Sequence, residues 1–243
     1  MALRLLNITA HPDDECFAFG GALALAAQHG VETSVLCLTD GQAAKHRGAS
    51  TSAEDLGRIR RAEFAASCAI LGVTHHDLLD YQDAQLEHAN FSELAAKLVQ
   101  RIRSFRPHVV LTFGQDGGAN THPDHTMVSC ATTAAVHWAA SPKRFSNLGP
   151  THRTQRLYHQ TTNYFLPERP EPLPAPWTVT LDIRSVFAIK QQAFAAHHSQ
   201  APLMEATRTI FEQHGQYEHY ILEATPNPKP AEQTTDLFEG VTE

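Results

Sequence analysis

Two short runs of this 243-residue chain gather the groups that could bind a metal and move protons. The first, His11-Pro12-Asp13-Asp14-Glu15, packs four ionisable side chains into five positions. The second, His122-Pro123-Asp124-His125, repeats the His-Pro-Asp core and adds a histidine. A catalytic zinc takes three nitrogen or carboxylate ligands from protein and leaves a fourth position for water. His11, Asp14 and His125 meet that count and leave Asp13 free. A metal held there lowers the pKa of its water to about 7, and a spare carboxylate can take the remaining proton. Each run also has a plain reading, as a helix cap that offsets the dipole or as a polar loop with a proline at the first helical position. The pairing argues against it, because helix starts do not require two His-Pro-Asp runs.

The elements around these runs bring them together. Leu3–Thr9 is a short apolar strand, Cys16–His29 is alanine-rich and helix-forming, and Val31–Thr39 is a second buried strand, a βαβ opening. Asp40–Ala53 is a Gly/Ser/Thr-rich loop, and Glu54–Leu71 is a helix stopped by Gly72. His75–Tyr81 is a third strand, Phe91–Phe105 a helix, and His108–Phe113 a β-branched fourth strand. A glycine-rich loop, Gly114–Thr121, leads to a helix starting at Pro123. This alternation predicts an α/β fold, a Rossmann-like, doubly wound, mostly parallel sheet. In such a sheet strands one and four are neighbours whose helices go to opposite faces, so both runs meet at the topological switch point. Beyond Pro142 the pattern weakens to strands at Thr154–Phe165 and Trp177–Ile183, a helix at Ser185–His198 and a last strand at Glu218–Leu222, a smaller α+β extension of the same domain. Residues 1–225 form that domain and Pro226–Glu243 a polar tail.

Composition excludes several classes. With 19 Lys+Arg against 26 Asp+Glu the net charge is −7, which repels a phosphate backbone and argues against nucleic acid as partner. The start of the chain reads as neither signal peptide nor membrane span, so the expected location is the cytoplasm with no membrane insertion. Cys16, Cys37, Cys68 and Cys130 form no CxxC pair and sit in apolar stretches, as buried thiols do. A homo-oligomer is compatible with all of this.

In these residues the chain resembles the zinc-dependent N-acetylglucosaminyl de-N-acetylases, the PIG-L/LmbE-like family. The matching segments are AHPDDE followed by GGALA, LTDGQ, RRAEFAASCAILGV, DGGANTHPDH and AHHSQ. The resemblance implies that His11, Asp14 and His125 hold zinc, with iron(II) as the substitute, and that Asp13 is the general base. It further implies that His122 stabilises the oxyanion or protonates the leaving amine, with Asp124 orienting it. Arg60 corresponds to an arginine near the sugar or is a solvated helix charge, and His197 in AHHSQ approaches the pocket or is a satisfied structural histidine. Many members carry an aromatic residue and a glycine before the second motif; here Asn120 and Thr121 stand there, and Asn120 is the candidate hydrogen-bond donor to substrate. The implied substrate is a small N-acetylated amino sugar or its conjugate. Two rival classes remain at this point, a non-catalytic metal-binding module and an iron(II) oxygenase, since two histidines and a carboxylate also describe that triad. The loops Asp40–Ala53 and Leu148–Arg156 are expected to rim the pocket, and His75, His76, His152 and His214 to be surface or packing residues.

Overall fold

The computed structural model describes residues 2–164, 171, 173–227 and 232–242. Seven strands form one sheet in the order β3-β2-β1-β4-β5-β7-β6. These are β1 (Arg4–Thr9), β2 (Glu32–Thr39), β3 (His75–Tyr81), β4 (Val109–Phe113), β5 (Arg156–Thr161), β6 (Val179–Asp182) and β7 (Tyr217–Ala224). The first five are mutually parallel, and β7 runs antiparallel between β5 and β6. β1 lies between β2 and β4, so the chain reverses its winding there and leaves a crevice at the carboxyl ends of β1 and β4.

Period-two alternation divides the strands between two cores. Leu5, Val35, Cys37, Val109 and Leu111 face one layer, whereas Leu6, Ile8, Leu36, Leu38 and Val110 face the other. The first layer is covered by α1 (Asp14–Phe17), α2 (Gly20–Gln28), α3 (Ala53–Ile70), α6 (Phe187–Ala195) and α7 (Ala201–His214), the second by α4 (Phe91–Phe105) and α5 (Pro123–Ala139). Both faces are buried, which is why the central strands read as continuous apolar runs.

Three expectations change. The helix expected over Cys16–His29 is two, because the Glu218 carboxylate accepts from Gly21 N at 2.7 Å and Ala22 N at 2.9 Å and so caps a fresh helix start. A Cβ at Gly21 would also fall 2.4 Å from Ile183, so close packing requires glycine there. The helix α7 stands where no element was expected. The polar tail is in part docked, since Thr234 bridges Val179, Leu237 is 3% exposed and its carbonyl accepts from Tyr158 Oη. Residues 165–170, 172 and 228–231, which include the end of the expected Thr154–Phe165 strand, lie outside the described residues. No helix among the described residues is long and apolar enough to cross a membrane.

Candidate active site

β1 ends at Thr9, and the next five residues turn tightly above the sheet. Ala10 N and His11 N both donate to Asp14 Oδ2, at 3.1 and 2.8 Å, so the loop folds around one carboxylate. Closing it sets Asp13 at φ +104°, a left-handed conformation that L residues other than glycine rarely hold. Strain of that kind persists only where the surroundings over-determine it, and it clusters at functional positions.

After β4 the loop returns the second run to the same point. His125 is 3% exposed, its ring stacks on Phe113 at 3.8 Å, and its Nδ1 lies 3.0 Å from the Gly117 carbonyl. Gly117 sits at φ +83°, and a Cβ there would fall 2.9 Å from the His122 carbonyl oxygen, so the turn that presents this acceptor needs glycine. With the proton on Nδ1, His125 Nε2 is a bare lone pair. It has no hydrogen-bond donor and lies 3.2 Å from Asp14 Oδ1. A lone pair facing an anionic oxygen is unfavourable unless a proton or cation lies between them.

His11 mirrors this arrangement. Its Nε2 donates toward two carboxylates, Asp83 Oδ1 at 3.0 Å and Asp124 Oδ2 at 3.1 Å, while Nδ1 faces Asp14 Oδ2 at 3.6 Å. Burial opposes charge on His11, but its hydrogen bonds to Asp124 and Asp83 override it and push the imidazole up to about 10. Burial likewise opposes ionisation of Asp14, yet positive charge on the facing imidazoles, a proton where no ion is bound, holds its carboxyl well below the usual range, His125 contributing most and His11 next. Each histidine thus commits one ring nitrogen outward and turns the other toward Asp14. That pattern, with the outer N–H fixed by a carboxylate or carbonyl, is the one found behind metal-bound imidazoles.

Asp13 stands beside this cluster, its Oδ2 3.0 Å from Arg60 Nη2. Burial raises its carboxyl to about 6 against the opposing pull of Arg60. Arg60 is 3% exposed, donates to the Pro12 and Gly41 carbonyls and lies beneath the loop, so it anchors Asp13 from the protein side. His197, like Arg60, is absent from the lining of the adjoining cavity. It is 1% exposed, its Nε2 lies 2.8 Å from Glu15 Oε1, and Glu15 Oε2 accepts from Asp13 N at 2.9 Å. His197 therefore supports the Asp13 loop from below. Removing it leaves a buried carboxylate short of its cation, so His197→Ala should destabilise the fold by about 3 kcal/mol or more in urea titration.

His122 caps α5, accepting the Asp124 N–H at its Nδ1 from 3.1 Å. That bond fixes the proton on Nε2, and burial, with His11 and His125 nearby, lowers the ring to about 4, so it is a neutral donor at pH 7. The ring nitrogens of His11, His122 and His125 converge within 4.8 Å. His122 is the member whose free nitrogen carries hydrogen. Asp124 orients it through the backbone; the Asp124 carboxylate instead holds His11 and accepts from Ala84 N at 2.7 Å and Leu86 N at 3.1 Å. Asn120 accepts from His122 N at 3.3 Å and lines the cavity.

That cavity has a volume of about 390 Å³ and is bounded by Asp13, Asp14, His125 and Asn120 together with residues after β5 and along α6 and α7. Its size suits a small organic ligand. The Leu148–Arg156 loop precedes β5, at the opposite end of the sheet from the crevice, and Arg103 binds its Gly149 carbonyl. The expectation that it rims the pocket is corrected: Gln160–Tyr164, at the carboxyl end of β5 and just beyond it, do so. His214, expected among surface or packing residues, also lines the cavity and stacks on Tyr164 at 5.0 Å.

The GlcNAc-PI de-N-acetylase family, PIG-L, matches residues 6–136, from β1 into α5. The chain belongs to the PIG-L family. The 1D-myo-inositol 2-acetamido-2-deoxy-alpha-D-glucopyranoside deacetylase of Rhodococcus erythropolis is 30% identical, over 99% of this chain and 98% of the relative. Among solved structures, a conserved protein of Thermus thermophilus is similar at TM-score 0.72 and 27% identity, covering 94% of this chain and 98% of that one. The N,N'-diacetylchitobiose deacetylase of Pyrococcus horikoshii shares the fold at TM-score 0.76 and 22% identity, covering 93% and 88%.

Within this PIG-L chain the residues that sequence reasoning overlooked are Asp83 and the cavity wall of α7. Asp83 follows β3 at the carboxyl edge of the sheet, where an acidic residue in a loop is a signal, although nothing local connects it to His11.

Proposed function

We propose that the protein is a hydrolase that removes the acetyl group from an N-acetylated amino sugar or its conjugate, with zinc held by His11, Asp14 and His125. The observation that carries this reading is the unpartnered His125 Nε2, turned with His11 Nδ1 toward one carboxylate and set beside the partly exposed base Asp13. Two imidazoles and a carboxylate suit zinc, and iron(II) also accepts them. When bound, the metal supplies Lewis acidity and a water acidic enough to deprotonate at neutral pH. Asp13 is placed to accept a proton from the water that attacks the acetyl carbon, and Arg60 keeps the carboxylate ionised and in place. His122 Nε2–H donates to the oxyanion. Expulsion of the amine needs a proton, which Asp13 has just received and can return.

Release of free amine from N-acetylglucosamine glycosides tests the reading. Turnover that a chelator abolishes and zinc restores upholds it. Bound metal without hydrolysis of any N-acetyl sugar would instead leave a binding module, and oxygen consumption an oxygenase.

Asp83 and Asp124 fix the His11 ring from behind, so Asp83→Ala should weaken metal affinity ten- to a hundredfold in chelator competition. We place the activity in the cytoplasm, in keeping with four free cysteines, three of them buried. The net charge of −7 speaks against a nucleic-acid partner.

A further inference from the structure

The cavity that contains Asp13, Asp14 and His125 runs on along α7, which contributes Leu203, Ala206, Thr207, Ile210, Phe211 and His214. Those positions follow i, i+3, i+4, i+7, i+8 and i+11, one face of a helix, and at 1.5 Å per residue the face spans about 16 Å. Phe17 of α1 and Phe194 of α6 face the same space, their rings 5.4 Å apart, and Phe17 lies 5.3 Å from Phe211. Helix α7 thus turns an apolar stripe toward an open cavity instead of wholly into the core, where such a stripe normally goes. Leu203 and Ile210 stay only partly buried. Covering them with an apolar ligand removes that surface from water, which is favourable.

Charge narrows the ligand further. Among the described lining residues Lys190 is the one lysine or arginine, and its Nζ lies 2.7 Å from Glu218 Oε1. Arg60 is turned onto Asp13 and the backbone beneath it. Among the described lining residues an anionic ligand would find no unpaired lysine or arginine, and it would face Asp13 and Asp14. The polar lining is the stretch at and beyond the carboxyl end of β5, Gln160–Asn163, which faces the hydroxyls of the sugar ring in this reading.

We infer that the group carried by the amino sugar lies along α7 and is an uncharged, apolar alkyl or aryl aglycone, in contrast to the inositol in the name of the Rhodococcus relative. This rests on the deacetylase reading and names its substrate class. The test compares kcat/KM of the zinc-loaded full chain for methyl, hexyl, phenyl and inositol glycosides of N-acetylglucosamine. Hexyl and phenyl should exceed methyl and inositol at least tenfold, and Ile210→Asp and Leu203→Asn should each cut the hexyl-to-methyl ratio at least fivefold. A flat series, a preference for inositol, or variants with an unchanged ratio would overturn the inference while leaving the deacetylase reading intact. Calorimetric binding of the already deacetylated hexyl and methyl glucosaminides separates the two ideas in the other direction. Tighter binding of the hexyl compound by a chain that hydrolyses nothing upholds the groove and removes the deacetylase; equal binding removes the groove.

Discussion

Asp13→Asn should lower kcat a hundredfold to ten-thousandfold while the protein keeps its metal, because the substitution removes a proton acceptor and leaves the proposed ligands in place. Metal content and amine release measured on the same preparation check this. Wild-type turnover in the variant would remove Asp13 from the mechanism, and lost metal would make it a ligand instead. The same carboxylate sets a pH dependence. Burial raises its pKa to about 6, and a base works only when ionised, so activity should be full above that value and fall as pH drops through it. A cation bound alongside would draw the limb lower. Arg60 pulls the Asp13 pKa down, so Arg60→Met should move the acid limb to higher pH, a shift that mere loss of folded protein would not produce.

His125→Ala should abolish stoichiometric metal binding and, with it, turnover. The imidazole is buried, stacked on Phe113 and tied to Gly117, so its Nε2 has a fixed direction that no neighbouring side chain can replace. Elemental analysis after dialysis against zinc and a weak chelator reads the loss. One equivalent of zinc retained by the variant would transfer the ligand role to His122, whose ring also converges on the site. Activity restored by added imidazole would show that the cavity survives and that only the ligand was missing. The two substitutions therefore separate a group that moves a proton from one that holds the ion.

The candidate centre was legible because its parts are local in sequence and the fold that joins them is periodic. His11, Asp13 and Asp14 come from one tight turn, and His122 and His125 from one helix start. Strand–helix alternation alone predicts that β1 and β4 adjoin, as they do. What surrounds the centre was not legible, for a common reason: its partners are distant in the chain. The second carboxylate on His11 comes from Asp83, the cap of α2 from Glu218, and the clamp on Asp13 from Arg60. Arg60 and His197 each had two readings as sequence, and burial with contacts to Asp13 and Glu15 makes both supports of the strained loop. Helix α7 is not legible in the sequence because its apolar stripe is interrupted by Thr207 and His214, both of which face the cavity. The sequence by itself determined the fold class, the switch point and the donor atoms offered there, since these follow from periodicity and residue type. Only the tertiary structure decided which nitrogen of each histidine is free, what holds Asp13 in place and what lines the cavity, because those depend on hydrogen bonds and packing between segments far apart in the chain.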